Sequence, residues 1–466
     1  MTNAAATIGE LRRSEYRVTP VKSELRRNLI RKLASGEPLF PGIIGYDDTV
    51  IPQMENAILA GQDLVLLGER GQAKSRLIRA LITLLDDAVP AIAGCEINDN
   101  PYNPICRRCR DMVAEQGDGT PVTWLAPDER YSEKLATPDT SIADLIGEVD
   151  PIKVAEGRYL SDDLTIHYGL IPRTNRGIFA INELPDLAER IQVGLLNIIE
   201  ERDVQIRGYR LRLPLDVYVV ATANPEDYTN RGRIITPLKD RFGAQARTHY
   251  PRSLEDEIAI AEQERTVFDD MPVQVTVPPF MTEIVAELSH VARRHPQVNQ
   301  RSGVSVRVST ANYENLISNA LRRALRTGER EAVARISDLP ALMASTSGKI
   351  ELETWEESDD EAVLEKLMKT ACNNVFRRHF TVQEFSDMVQ RFERGSFTVE
   401  VSDQLPASAY AQALNELPGL DRARQKLDVA DSDAMRVAVL ELVLEGLHLG
   451  KRLNKTALDG SAVYGG

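Results

Sequence analysis

The chain has 466 residues, with 56 lysines and arginines against 70 aspartates and glutamates, so its formal net charge is −14. A chain of this length is too long to fold around one ordinary hydrophobic core, so we expect two or three domains. The composition, with 42% hydrophobic and 27% charged residues, excludes a chain that is disordered throughout. The net acidity argues against general nucleic-acid binding, because attraction to phosphates needs a surplus of cations, and no specific nucleic-acid partner is expected.

Residues 1–40 form a basic arm in which arginine and lysine outnumber glutamate. The residues concerned are Arg12, Arg13, Arg17, Lys22, Arg26, Arg27, Arg31 and Lys32 against Glu10, Glu15 and Glu24. Such a pattern is typical of a solvated helix face, or of an arm that docks on an acidic neighbouring subunit. The segment 1–10 lacks the charged and then apolar pattern of a signal peptide.

Residues 41–251 alternate short apolar strands with helical stretches. The predicted strands are Asp63–Leu67, Pro121–Leu125, Gly177–Ile181 and Val217–Ala221, and helical periodicity covers Lys74–Leu85 and Leu187–Glu201. This alternation predicts an α/β domain with a parallel sheet flanked by helices on both faces.

A candidate phosphate loop, Gly68–Ser75 (GERGQAKS), lies between the first strand and a helix. In this position the backbone of Glu69, Arg70, Gln72 and both glycines would wrap phosphate oxygens. We expect Lys74 to reach the β and γ phosphates of ATP and the Ser75 hydroxyl to bind Mg²⁺. Ala73 replaces a glycine of the usual pattern, which is tolerable at negative φ and costs about 1 kcal/mol or more at positive φ.

A cysteine-bearing insertion at 90–118 contains Cys95, Cys106 and Cys109. The C-x-x-C pair is half of a typical zinc site, and the fourth ligand is missing locally, so Cys372 or His167 would have to supply it through folding. Reduced structural thiols and a redox pair are the two alternatives to Zn²⁺.

The third strand ends at Asn182 and Glu183. A nucleotide hydrolase uses two acids here, the first for the metal and the second for the attacking water. Glu183 is available for the second role, although it could equally be an acid at a helix N-terminus. Asn182 brings no charge to the first role, and the lost attraction is at most about 4 kcal/mol, so we expect weaker Mg²⁺ dependence or slow turnover.

Three further residues are candidates for catalysis. Asn224, at the end of the fourth strand, could orient the water or simply form a turn before a proline. Arg241 could enter the nucleotide site of a neighbouring subunit, or form a surface ion pair with Asp240. Arg307 could bridge a second domain to the γ phosphate, although many other arginines lie near it in the sequence.

The rest of the chain is predicted to be helical. Residues 252–371 form a helical lid domain, and residues 372–466 form a mostly helical C-terminal region whose last residues, 461–466, are expected to be frayed. No apolar run approaches the ~20 residues that a membrane helix requires. Because only four cysteines occur, we expect no disulfide framework, and we expect a cytoplasmic protein with reduced thiols.

The order of these motifs resembles that of AAA+ ATPases, and within them the ATPase (I) subunit of magnesium chelatase and the MoxR-type proteins. Phe40–Gly45 (FPGIIG), with Ile43 and Ile44, resembles the loop that holds adenine in that family. Other stretches with this resemblance lie before the third strand (the acid strand, which ends at Asn182 and Glu183), namely Leu145–Val149, Glu156–Arg158, Gly169–Ile171 and Asn175–Gly177. Asp203–Arg212, before the fourth strand, also has it.

The resemblance implies a hexameric ring that binds ATP between subunits and works beside a protein carrying a von Willebrand-type adhesion domain. No D-x-S-x-S motif of such a domain occurs in this chain, so the partner would be a separate chain. We expect an ATPase that remodels or matures a client, in a chaperone-like role. The alternatives are a hydrolysis-poor assembly scaffold and the ATPase subunit of a metal chelatase. A transcriptional activator ATPase is disfavoured, since its G-A-F-T-G-A loop is missing.

Overall fold

The computed structural model describes two compact units, Met1–His249 and Tyr250–Gly466. The described residues are 5–149, 165–200, 203–204, 213–224, 233–268, 270, 272–300, 302–353, 357–395, 397–458 and 460–466. Glu156–Arg158 and most of the stretch Asp203–Arg212, both singled out in the sequence, lie outside these residues. The two units are described separately below.

The first unit is built on a sheet of five parallel strands. In spatial order these strands are Ala244–Arg247, Leu64–Leu67, Val217–Ala223, Gly177–Asn182 and Tyr131–Leu135. Each neighbouring pair is parallel, so all five carboxyl ends lie at one edge of the sheet. The predicted parallel sheet of an AAA+ fold is confirmed.

Alternate residues of these strands enter two different hydrophobic clusters. Leu64, Leu66, Ile178 and Val220 belong to one cluster, and Val65, Phe179, Ile181 and Val219 belong to the other. The sheet is therefore covered on both faces, as parallel sheets generally are. Among its described residues, the helices of this unit are Ile8–Arg13, Val21–Ser35, Val50–Leu59, Lys74–Ala80, Arg107–Gln116, Ile142–Leu145, Leu170–Arg173, Glu189–Glu200 and Thr236–Arg241.

For the central sheet, the sequence analysis misplaced one strand and missed two. Val122–Leu125 lies outside the central sheet and pairs antiparallel with Val89–Ile92. The two edge strands, Tyr131–Leu135 (YSEKL) and Ala244–Arg247 (AQAR), are polar and only partly buried, so they lack the apolar signal on which the prediction relied. Two shorter antiparallel pairs join Gly147–Val149 to Ile166–Tyr168 and Asp203–Val204 to Leu213–Pro214.

The helix Val21–Ser35 of the basic arm packs on its own chain. Its buried face includes Leu25 and Leu29, which belong to the core of the first unit. Lys22 pairs with Asp63 at 3.0 Å and Arg27 with Asp86 at 2.6 Å. The buried Glu24 carboxylate accepts two hydrogen bonds from Arg130, at 2.7 and 2.6 Å. Lys22, Glu24 and Arg27 thus pair within the chain, and docking of the arm on an acidic neighbouring subunit stays a prediction.

The second unit is mostly helical around one hydrophobic cluster. The helix Glu357–His379 runs across the predicted boundary at 371/372, and the cluster extends from Phe280 to Tyr464. The other helices are Leu254–Glu264, Pro279–Ala292, Arg307–Thr327, Met343–Thr346, Ser386–Glu393, Ala411–Glu416, Leu420–Lys426 and Asp433–Leu449. Within the described ranges, no helix has both the length and the apolar character needed to cross a bilayer.

The second unit also contains strands. Val275–Thr276 pairs with Ala332–Val333, and a three-stranded antiparallel sheet has Ser461–Gly465 between Val399–Val401 and Asn454–Leu458. The expectation of frayed residues at 461–466 is wrong. The ring of Tyr464 is buried and its hydroxyl bonds to the Glu445 carboxylate, which secures this strand.

Candidate nucleotide site

The loop Gly68–Ser75 leaves the strand Leu64–Leu67 at the carboxyl edge of the sheet and leads into the helix Lys74–Ala80. A Cβ on Gly68 would lie 1.9 Å from Thr248 Oγ1 and 2.2 Å from Gln72 Oε1, so only glycine fits there. Gly71 has φ of 74°, a conformation that side chains disfavour. Glycine is thus favoured at position 71 by the path of the loop and at position 68 by the two side chains packed against it.

Ala73 immediately precedes the helix and has φ of 54°. This is the left-handed conformation, in which a Cβ costs roughly 1–2 kcal/mol. The condition under which alanine would be harmless here, a negative φ, is not met. The loop therefore keeps the path that a second glycine would allow and carries local strain at this residue.

Lys74 connects the loop to the neighbouring strand. Its side chain is buried, and its ammonium donates hydrogen bonds to the carbonyls of Gly68 (2.5 Å) and Glu69 (2.7 Å) and to Asn224 Oδ1 (2.7 Å). The cation is thus held inside the loop by these acceptors.

Glu183 and Asn224 contact each other beside this lysine. The Asn224 amide donates to the Glu183 carboxylate, and the Glu183 backbone N–H donates to Thr222 Oγ1 at 3.0 Å. Glu183 itself has φ of 56°, which turns its side chain off the strand end. The structure therefore brings together Lys74, Glu183 and Asn224, the three groups that the sequence assigned to phosphate, water activation and water orientation.

Asn182 lies next to Ser75 and to an acid that the sequence analysis did not identify. The Ser75 hydroxyl is 3.4 Å from Asn182 Oδ1, and the Asn182 amide donates to the carboxylate of Glu133. Glu133 lies on the adjacent strand, Tyr131–Leu135. The sequence pattern did not reveal it, because the strand that carries it was itself missed.

Glu133 is held as an anion by its neighbours. Arg79 Nε and Nη2 donate to its two oxygens at 2.7 and 2.9 Å, and the Tyr131 hydroxyl donates at 3.0 Å. Partial burial opposes ionisation, but the hydrogen bonds from Arg79, Tyr131 and Asn182 outweigh it, so the pKa of Glu133 lies below its ordinary value. A negative charge therefore lies next to Asn182, the residue that contacts the Ser75 hydroxyl.

The segment containing Ile43 and Ile44 adjoins the phosphate loop. Both isoleucines are half-buried, and Ile43 packs against the core cluster. The Tyr46 hydroxyl, three residues further on, lies 2.9 Å from the Gln72 carbonyl oxygen. A cavity of about 370 Å³ opens beside the loop, lined by Leu67, Gly68, Glu69, Gln72, Lys239, Arg247 and Thr248.

Comparison with known proteins gives the following similarities. No family model matches the chain. It is 24% identical over 357 residues to the magnesium-chelatase subunit ChlI of Synechocystis sp., covering 71% of this chain and 93% of that protein. It is 27% identical over 254 residues to the magnesium-chelatase 38 kDa subunit of Rhodobacter capsulatus, covering 51% of this chain and 64% of that protein.

The chain resembles the ATPase subunit of magnesium chelatase. A complex of magnesium chelatase subunits BchI and BchD, based on cryo-EM, matches with 20% identity and a TM-score of 0.36, over 70% of this chain and 98% of that chain. This TM-score is too low to support an inference by itself. The resemblance therefore depends on the ChlI sequences, together with the observed AAA+ fold.

The two candidate arginines lie on different units, Arg241 on the first and Arg307 on the second. Arg241 forms an ion pair with Glu200, and its Nη1 donates to the Pro237 carbonyl at 2.9 Å. The alternative of an ion pair with Asp240 was therefore right about the type of contact and wrong about the partner, which is Glu200. Arg307 is exposed at the start of a helix in the second unit. Action of either arginine at a nucleotide stays a prediction.

The cysteines of the insertion converge. Cys95, Cys106 and Cys109 lie beside Asp99, and the four ligand atoms are all within 4.8 Å of one another. Among the described residues, the fourth member of this cluster is Asp99, and the cluster includes neither Cys372 nor His167, which were named above as sources of a fourth ligand. Hydrogen bonds from Cys106 and Cys109 lower the pKa of the Cys95 thiol.

Proposed function

We propose that this protein hydrolyses ATP in a ring of identical subunits and couples that reaction to the remodelling or maturation of a partner protein. The observation that carries the proposal is the contact network at the sheet edge, in which Lys74 bonds Asn224 and Asn224 bonds Glu183. A phosphate-binding cation, a water-orienting amide and a carboxylate base are thus adjacent in one chain.

Each group has a distinct task in the proposed reaction. Lys74 binds the β and γ phosphate oxygens, and the loop N–H groups of Gly68–Ser75 surround the rest. The Glu183 carboxylate accepts a proton from the attacking water, and Asn224 holds that carboxylate in position. Ile43 and Ile44 contact the adenine ring.

Mg²⁺ would be held by the Ser75 hydroxyl, and it would neutralise the charge that develops on the phosphates. Asn182 could accept a hydrogen bond from a water of the ion through its amide oxygen, but it would contribute no charge. Glu133 supplies the missing negative charge through the hydrogen bond from Asn182. In this proposal, two residues on adjacent strands share the task that a single aspartate performs in other P-loop ATPases.

The proposed ring is a hexamer in which Arg241 completes the site of the adjacent subunit and Arg307 contacts the γ phosphate. The supporting facts are the similarity to chelatase ATPase subunits and the partial exposure of the Arg241 side chain, 30%. The partner of this proposal is a separate protein with a von Willebrand-type adhesion domain.

The first experiment compares Glu183→Gln with Glu189→Gln. Glu189 is an exposed acid in the next helix and serves as the matched control. Steady-state phosphate release should fall about 10²–10⁴-fold in the first variant, with ATP binding retained, and stay unchanged in the second. Release that persists in Glu183→Gln would contradict the assignment.

The second experiment tests whether Arg241 acts across subunits. Arg241→Ala alone should lower turnover by about 10³–10⁵-fold, while Glu200→Gln, which removes only the ion-pair partner, should not. Mixing the inactive Arg241→Ala and Glu183→Gln proteins should restore turnover, because an intact base in one subunit then meets an intact arginine from the other. Mixtures that remain inactive would refute a role in trans.

A second candidate function is a nucleotide-binding scaffold with poor hydrolysis. The strained Ala73 and the uncharged Asn182 favour it. It predicts that ATP binding changes the oligomeric state, while phosphate release is negligible with or without partner protein. A third reading, the ATPase subunit of a metal chelatase, predicts ATP-dependent metal insertion into a porphyrin when the other subunits are added.

A further inference from the structure

The cluster in the insertion has the dimensions of a site for one metal ion. A zinc–thiolate bond is about 2.3 Å long, so tetrahedral ligands lie about 3.8 Å apart and no two ligands of one ion exceed about 4.6 Å. The ligand atoms of Cys95, Asp99, Cys106 and Cys109 span 4.8 Å at most. Only a small contraction would bring all four onto a single ion.

The backbone around the cluster is arranged to support anionic sulfur. The N–H groups of Ile97 and Asp99 each donate to Cys95 Sγ at 3.4 Å, and Cys109 N–H donates to Cys106 Sγ at 3.4 Å. The contact to Cys106 also caps the helix Arg107–Gln116, whereas both contacts to Cys95 lie outside any helix. Three N–H groups directed at two sulfurs are typical of the outer shell that orients metal ligands.

The Asp99 carboxylate is also oriented by backbone N–H groups. Its two carboxylate oxygens accept hydrogen bonds from the N–H groups of Ile105 and Cys106, at 3.1 and 3.0 Å, and its side chain is fully buried. Each oxygen keeps a lone pair beyond its hydrogen bond. A buried carboxylate among three thiols is unfavourable without a cation, which makes a metal ion the natural occupant.

We propose that Cys95, Asp99, Cys106 and Cys109 bind one Zn²⁺ in a closed, structural site. Four protein ligands leave no open coordination position, so the ion stabilises the fold and does not take part in catalysis. A redox pair is a poorer description, because a disulfide between two of these cysteines would leave the third thiol and the buried carboxylate without a function.

The proposed ion would fix a segment that leads into the nucleotide site. The loop between Cys95 and Asp99 is bonded to the residues before the acid strand: Asn98 Nδ2 donates to the Arg173 carbonyl at 2.9 Å, and Asn175 Nδ2 donates to the Ile97 carbonyl at 3.0 Å. The strand that ends at Asn182 begins at Gly177, two residues after Asn175. Zinc would therefore hold the start of this strand.

The test is metal analysis of the full-length protein purified under reducing conditions. We expect one zinc per chain by mass spectrometry, and strong visible absorption bands of tetrahedral, thiolate-bound Co²⁺ after exchange. Cys106→Ser should lose the metal, while Cys372→Ser, which removes a buried cysteine of the second unit, should keep it. Iron instead of zinc, or neither zinc nor Co²⁺ uptake by the reduced protein, would overturn the proposal.

Asp99 has its own test. Asp99→Asn should weaken zinc binding by at least the roughly 10–100-fold typical of lost outer-shell partners, while Asp111→Asn, an exposed control in the same insertion, should not. Asp99→Cys should retain the metal and strengthen the Co²⁺–thiolate absorption, because a fourth sulfur replaces oxygen. Wild-type zinc affinity in Asp99→Asn would exclude Asp99 as a ligand. Should the variants fail to fold, chelator competition on the wild-type protein still decides whether the site exists.

Discussion

Replacing Asn182 with aspartate would restore the acid that most nucleotide hydrolases carry, yet we expect Asn182→Asp to destabilise the metal-free protein. The substitution removes the hydrogen bond that the Asn182 amide donates to the Glu133 carboxylate, and hydrogen bonds to charged groups contribute about 1.5–3 kcal/mol. It also places two carboxylates in contact, where unit charges 4 Å apart repel by about 4 kcal/mol at an effective dielectric of 20.

Two effects reduce the total loss of stability from the lost hydrogen bond and the repulsion. Arg79 already neutralises part of the Glu133 charge, and the new pair can take up a proton. We therefore expect a net loss of about 2–4 kcal/mol, or a decrease in Tm of about 4–15 °C for a unit of this size. Like-charge contact raises the carboxyl pKa in the folded state, so the deficit should be largest above that raised pKa and shrink as the pH falls towards 4.

The assay is thermal unfolding of Asn182→Asp, with ADP and chelator and then with ADP and Mg²⁺. The added charge should make stabilisation by Mg²⁺–ADP larger in the variant than in the wild type. The double variant Asn182→Asp, Glu133→Gln exchanges amide and carboxylate, so it should regain most of the metal-free stability, apart from the ~0–1 kcal/mol of an exposed ion pair. An unchanged Tm in the single variant, or no recovery in the double variant, would refute the reasoning.

Three other predictions concern stability and are measured by urea denaturation. Ala73→Gly should raise the stability by about 1 kcal/mol by relieving the left-handed alanine, and a loss would show that the loop is not strained there. Glu24→Gln should cost about 3–5 kcal/mol, because Arg130 is left charged and buried, whereas the exposed Glu37→Gln should be neutral. Burial opposes ionisation of Glu257, but hydrogen bonds from three neighbouring side chains outweigh it and lower its pKa to about 2. A lowered pKa stabilises the fold above pH 4.5 and loses that contribution as the pH falls towards 2, so about 3 kcal/mol should disappear over this range in the wild type and not in Glu257→Gln.

The residues at the ends of apolar strands were predictable from the sequence. Lys74, Glu183 and Asn224 each follow a strand with a strong hydrophobic signal, and parallel strands place their carboxyl ends at one edge of the sheet. Glu133 could not be found in this way, because it lies on a polar edge strand and reaches the site only through its pairing with the acid strand.

Asp99 was missed for a related reason. The sequence search for a fourth ligand considered cysteine and histidine, whereas the loop that reverses direction after Cys95 brings a carboxylate into the cluster. The polar edge strands and the last strand of the chain were missed as well, because their positions depend on pairing with distant segments, which local periodicity does not report.

The strand Ser461–Gly465 is the middle member of its sheet, although it is the last to be synthesised. About 60 residues separate it from Val399–Val401, which at roughly 5–20 residues per second corresponds to about 3–12 s of translation. During this interval the first of the three strands has no partner to pair with. This sheet can thus form only once Ser461–Gly465 has been translated, because neither of the other two strands pairs with the other directly.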